Sequence, residues 1–191
     1  MAERIVPCVY FDETGPTNTA ATLRLALERA KDLGVRTVLV ASTTGATGVE
    51  AAQVFFGYNL VVITHSHGFQ APDTQQFLPE HRQAIEAAGA TILTCQHTFG
   101  GVGRAVRRKL GTYELEEIIA YTLRLFGQGM KVVCEIALMA ADAGLINTEE
   151  DAIAIGGSGQ GADTAVILRP ANAMRFFDLK VREILCKPRD F

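Results

Sequence analysis

Apolar residues fall into short unbroken runs, with stretches of helical spacing between them. The runs at residues 5–11, 37–41, 60–64 and 90–95 carry β-branched and aliphatic side chains without polar alternation. Such runs predict strands covered on both faces, as in a parallel sheet. Between the first two, Ala20, Leu23, Leu27 and Ala30 recur at helical spacing. Thr17 or Asn18 can cap that helix, and Gly34 is placed to stop it. A short helix is predicted over residues 49–56, ended by Gly57. Another begins near Pro79, where proline is tolerated in the first turn, and ends at Gly89.

The rhythm then changes. Residues 98–111 are rich in Gly and Arg and read as a loop. Leu115, Ile118, Ile119, Thr122, Leu123 and Phe126 mark an amphipathic helix, and residues 130–143 a more apolar one. Strands are predicted at 151–155 and 164–168, and a further one at 177–185. Strands alternating with helices indicate βαβ units. The expected fold is therefore α/β: a three-layer α/β/α open, mainly parallel sheet. No repeat, low-complexity segment or linker divides the chain, so one domain is expected over residues 1–191.

Composition narrows the possibilities. The 191 residues are 48% hydrophobic and 20% charged, which suits a packed globular domain. The net charge of -3 speaks against a nucleic-acid partner. The start, Met1-Ala2-Glu3-Arg4, has no signal-peptide core, and no apolar run reaches the length of a bilayer span. The expectation is a cytoplasmic protein with no membrane partner. Cys8, Cys95, Cys134 and Cys186 are widely spaced and form no CxxC, so they read as free thiols buried among apolar neighbours.

In open parallel sheets ligands bind outside the carboxyl ends of the strands. That rule selects the loops after each strand for a functional reading. Ser42-Thr43-Thr44-Gly45-Ala46-Thr47-Gly48 joins a strand to a helix and offers four hydroxyls, two glycines and a row of amides. A helix N-terminus of this kind holds anions, because its N–H groups are unpaired and its dipole is positive there. No Gly-Lys-Ser/Thr is present, so this is not a nucleoside-triphosphatase loop. The plainer alternative is a helix cap with spare hydroxyls.

Residues 156–162 contain G-x-G-x-x-A, but a strand follows where a dinucleotide fingerprint needs a helix. Gly156, Gly157, Ser158 and Gly159 therefore read as a Gly-rich connection between strands, able to form a flexible wall beside a ligand. Gly100, Gly101, Gly103 and Arg104 offer a place for a second anionic group, or a basic solvated loop. His65, His67 and His97 each follow a strand. An H-x-H with a distant His, joined by Asp12 or Glu13, is a weak metal pattern, and no metal is assigned. Hydrogen bonding of a ligand by His65 or His67 is the preferred role. His81, on a helix, is given none. Glu135, inside an apolar helix, reads as facing solvent.

At this point the residues resemble a family. "TVLVASTTGATGV" at 37–49 is similar to the strand and Ser/Thr loop of the pyruvate kinase C-terminal, effector-binding domain. "DAIAIGGSGQGADT" at 151–164 is similar to its late strand and Gly-rich loop. In pyruvate kinase that region holds the phosphate of a sugar bisphosphate, and the resemblance carries the role to Ser42, Thr43, Thr44, Gly45 and Thr47. Ala46 stands where that loop often has a basic residue, and residues 65–130 have no clear counterpart. The pattern best resembles the stand-alone pyruvate-kinase-C-terminal-like proteins. That implies flavin mononucleotide (FMN) as ligand and, with the catalytic barrel absent, no pyruvate kinase activity.

The functional expectation is a binding or sensing module for a small phosphorylated molecule. The alternatives are a flavin-dependent enzyme using His65, His67 and His97, and an interaction subunit without ligand. A homo-oligomer is expected from the apolar tail 176–185 and the apolar helix 130–143.

Overall fold

A computed structural model describes residues 3–191, so Met1 and Ala2 of the leader reading lie outside it. Seven strands form one sheet in the order β1-β7-β6-β5-β2-β3-β4. They are β1 (Val9–Phe11), β2 (Thr37–Ala41), β3 (Asn59–Ile63), β4 (Thr91–Leu93), β5 (Ala152–Gly156), β6 (Thr164–Arg169) and β7 (Lys180–Pro188). Only β6 runs against its neighbours; the pairs β1–β7, β5–β2, β2–β3 and β3–β4 are parallel. The first strand is shorter than its apolar run, since residues 5–8 pair with nothing in the sheet.

The helices are α1 (Thr19–Leu33), α2 (Ala46–Val54), α3 (Pro79–Ala87), α4 (Val102–Leu110), α5 (Leu115–Arg124) and α6 (Gln128–Asp142). Buried side chains of α1, α2 and α3 (Leu23, Ala26, Ala51, Ile85) meet Val38, Val40, Ile153 and Ile155 on one sheet face. Those of α5 and α6 (Ala120, Val133, Ala137, Leu138) meet Leu39, Val61, Ala154 and Val166 on the other. Successive residues of β2 thus enter opposite cores, which is why its sequence shows no alternation. The three-layer, mainly parallel expectation holds.

Three readings are corrected. Residues 98–111 are not a loop throughout, because α4 occupies Val102–Leu110 and ends at Gly111. Three glycines hid it; its signals are the basic last turn (Arg107, Arg108, Lys109) and the glycine stop. The helix at 49–56 starts earlier, at Ala46, so part of the hydroxyl loop is helical. The apolar helix α6 is sunk between sheet and α5 and leaves no surplus surface for an oligomer. Exposed apolar side chains lie along α5, at Leu115, Ile118 and Tyr121, at Leu125 just after it, and in the tail at Phe177.

The chain runs β2, β3, β4 outward in one direction, then returns through α4–α6 to place β5 on the other side of β2. The loops leaving β2 and β5 therefore diverge and open a crevice between them. Gly48, in the first turn of α2, lets that helix lie against the sheet. A Cβ there would meet Ile85 Cδ1 at 2.8 Å and Val62 Cγ1 at 2.9 Å. Ala gains about 1 kcal/mol over Gly in helix propensity, but overpacking costs about 1–3 kcal/mol. Val62, β-branched and in a strand, has little room to turn away. Gly48→Ala is expected to lower stability by about 1 kcal/mol and the melting temperature by about 2–4 °C. A variant melting at or above the parent would contradict this packing.

Candidate functional site

The crevice is a cleft of about 840 Å³, within the range of small-molecule sites. One wall is the loop after β2. Gly45 is the N-cap of α2, with φ of 98°, a conformation that favours glycine. A Cβ there would also strike His81 Cβ at 2.5 Å. His81, expected to be idle, bonds the Thr44 carbonyl through Nδ1 at 2.8 Å, and the Leu78 amide donates to the same oxygen. The loop is thus clamped from α3. Ser42 Oγ accepts from the Gly48 amide at 3.2 Å, so this hydroxyl caps the helix, as the plainer reading held. The Ala46 and Thr47 amides have no protein acceptor among the described residues.

The next wall comes from β3 and the loop beyond it. His65 donates from Nδ1 to Gln76 Oε1 at 2.9 Å, leaving Nε2 to face Thr43 Oγ1 at 3.5 Å. Burial, opposed by the Gln76 bond, pushes the His65 pKa below its ordinary value. Phe69 stacks on His65 with centroids 4.0 Å apart and on His97 at 5.1 Å. The Arg104 guanidinium lies over the Phe69 ring at 5.0 Å.

The opposite wall is the N-terminal half of α6. Lys131 and Glu135, 4% and 3% exposed, form an ion pair one helical turn apart. Glu135 also accepts from the Phe99 amide at 2.9 Å and lies 3.5 Å from His97 Nδ1. Burial by itself would raise the Glu135 pKa; His97 and Lys131 together overcome it and hold it at about 2. Burial lowers the Lys131 pKa, with Glu135 opposing the shift. Arg104 and Arg124 also line the cleft, and neither has a carboxylate partner among the described residues.

The loop after β5 closes the rim. It joins β5 to antiparallel β6, so it is the connection between strands that its sequence suggested. Gly157, Gly159, Gln160 and Gly161 line the cleft. Gly156 and Ser158 do not. A Cβ on Gly156 would meet Val132 Cγ1 at 2.9 Å, so its place is against α6 rather than a ligand. The Ser158 amide donates to buried Asp163, and its Oγ has no partner among the described residues.

Of the other residues selected from sequence, Ser42, Thr43, Thr44, Thr47 and His65 line the cleft. Gly45 supports it from behind. His67 is exposed outside it, and no group of His, Cys, Asp or Glu among the described residues is gathered as a metal site. Glu135, expected on a solvent face, is a correction: it lies at the cleft wall with three donors around it. A charged i, i+4 pair inside an apolar helix was the available signal. Of the cysteines, all free, only Cys134 and Cys186 are fully buried. Burial raises the Cys134 pKa to about 12, as expected of an inert thiol. No helix among the described residues is long and apolar enough to cross a membrane.

Comparison with solved structures returns pyruvate kinase from Cryptosporidium parvum at 17% identity and a TM-score of 0.42, covering 79% of this chain. The same enzyme in complex with ADP gives 16% identity, a TM-score of 0.39 and 88% coverage. This chain spans 22% and 23% of those two chains. An O-ureido-L-serine synthase with its namesake ligand bound gives 20% identity and a TM-score of 0.30, over 70% of this chain and 49% of that one. Residues 20–168, from α1 to the end of β6, match the family described as pyruvate kinase, alpha/beta domain, and the chain belongs to that family.

Proposed function

We propose that this chain is a binding or sensing module for a small phosphorylated ligand, with the phosphate at the N-terminus of α2. The observation that carries the reading is convergence in one cleft. The unclaimed Ala46 and Thr47 amides, the Thr43 and Thr44 hydroxyls and the cationic groups Arg104 and Arg124 border the same space. Oriented amides and a helix dipole favour an anion there without a lysine in the loop.

FMN is the ligand that the family resemblance suggests. The residues fit it: a phosphate cradle, and beside it, starting at His65 next to Thr43, the His65, Phe69 and His97 rings to receive a planar system. Bound FMN would supply redox chemistry; this chain's residues would hold its phosphate and border its ring. The four free thiols accord with a cytoplasmic setting. A homo-oligomer remains part of the proposal, with the α5 stripe as its apolar surface; a monomer in sedimentation at high micromolar concentration contradicts it.

The test is Thr43→Val with Thr44→Val, which keeps volume and removes both hydroxyls. Hydrogen bonds to a charged acceptor are each worth about 1.5–3 kcal/mol, so FMN affinity should fall on the order of 10²-fold or more. Riboflavin, lacking the phosphate, should bind parent and variant alike. FMN binding unchanged in calorimetric titration would reduce the loop to a helix cap.

A further inference from the structure

His97 Nε2 is buried and has no hydrogen-bond partner among the described residues. A buried polar atom without a partner is costly, and native structures rarely leave one without a reason. The ring is posed with care. Glu135 faces Nδ1 at 3.5 Å, and the same carboxylate takes the Phe99 amide at 2.9 Å, tying the segment that carries His97 to α6. Lys131 engages Oε2, the same carboxylate oxygen that His97 faces, while the Phe99 amide takes Oε1. A carboxylate beside Nδ1 favours the proton on that nitrogen, so in the neutral ring Nε2 holds a lone pair. His97 lines the cleft, its ring centroid 5.3 Å from that of His65, which in turn meets Thr43 of the phosphate loop.

We infer that His97 is a specificity-determining residue, an acceptor set by Glu135 that receives an N–H or O–H donor from the part of the ligand beyond its phosphate. This rests on the phosphate reading and narrows the ligand class to phosphomonoesters with a donor-bearing planar or polyol portion. Molecules whose non-phosphate portion carries only acceptors leave Nε2 unsatisfied and are selected against. Phe69, stacked on both imidazoles, has to yield when such a ligand enters.

Two measurements on the intact chain test it, with FMN and riboflavin as probes. His97→Phe preserves an aromatic ring for Phe69 and removes the acceptor. Both probes should then bind about tenfold more weakly, with their affinity ratio unchanged. The second needs no variant: nitrogen-15 NMR of the four histidines in the parent protein. His97 is expected to carry its proton on Nδ1, and its Nε2 resonance to move on addition of FMN. A proton on Nε2 in the free protein, a resonance indifferent to FMN, or undiminished binding by His97→Phe overturns the inference. An equal affinity for FMN and riboflavin sinks the phosphate cradle and leaves the His97 result to be read by itself. Failure of both probes to bind overturns both.

Discussion

Glu135→Ala should destabilise the protein by about 3–5 kcal/mol, the usual cost of removing one partner of a buried ion pair. The loss has three sources: Lys131 is left buried without its carboxylate, the Phe99 amide loses its acceptor, and His97 loses the carboxylate at Nδ1. For a chain of this size the melting temperature should drop by roughly 10 °C. Glu135→Gln, which can still accept from Phe99, should fall between variant and parent. Equal melting temperatures for Glu135→Ala and the parent would mean that this cluster contributes nothing.

The same residue sets an acid limb. Its pKa lies at about 2 in the folded chain against an ordinary 4.5. A depressed carboxyl pKa means stability fully present above the unfolded value and lost as pH falls through the folded one. Between pH 4.5 and pH 2 the parent should lose on the order of 3 kcal/mol through this group, and Glu135→Ala should lack that limb. His65, lowered by burial, also costs stability as pH falls, but its window opens at its ordinary 6.5, above that of Glu135. In Glu135→Ala the stranded Lys131 should make stability rise with pH, since the unfolded chain then binds the extra proton. Chemical unfolding at several pH values separates the three.

Asp163→Ala should cost about 4 kcal/mol. Asp163 is fully buried, and its carboxylate accepts from three donors: the Gly15 amide at 3.0 Å, the Ser158 amide at 3.1 Å and Thr164 Oγ1 at 2.8 Å. Hydrogen bonds to a charged group are worth about 1.5–3 kcal/mol each and do not add fully. This carboxylate joins the turn before α1 to the loop after β5. The Thr19 hydroxyl, accepting from Ala162 at 3.0 Å, is a second stitch between the same elements. Both amides share Oδ2, so Asp163→Asn can place its amide oxygen there and its NH₂ on Thr164 Oγ1, a hydroxyl able to accept, and should be milder than Asp163→Ala. Urea unfolding should show a lowered midpoint with an unchanged slope, and hydrogen exchange at the Gly15 and Ser158 amides should quicken. Ligand affinity should fall with it, because the Gly157–Gly161 rim loses its anchor. An unchanged midpoint would show that the three bonds contribute no net stability.

Nothing local in the sequence marks Asp163, the residue at the head of a predicted strand. Its partners lie 148 residues away at Gly15 and five away at Ser158, and only folding brings them together. Lys131 and Glu135 were obscured differently. Helical spacing tells which residues share a face, but not whether that face meets water, and α6 is covered on nearly every side.

The sequence by itself determined what local chemistry dictates. Unbroken β-branched runs need cover on both faces, and that requirement yielded the three-layer sheet and the buried β2 and β3. Gly34 and Gly89 marked helix ends, and the residues after β2 were legible as a helix start rich in amides and hydroxyls. The tertiary structure alone decided which walls face that start. The reversal of strand order at β2 and β5 set the Gly157–Gly161 loop beside it, the return through α6 brought Lys131 and Glu135 across from it, and the segment after β4 supplied His97. His65 lines the cleft and His67, two residues further from β3, is exposed outside it. The physical reason is that propensity and periodicity act over a few residues, whereas a cleft is made by contacts between segments far apart in the chain, whose energies depend on packing that no local pattern encodes.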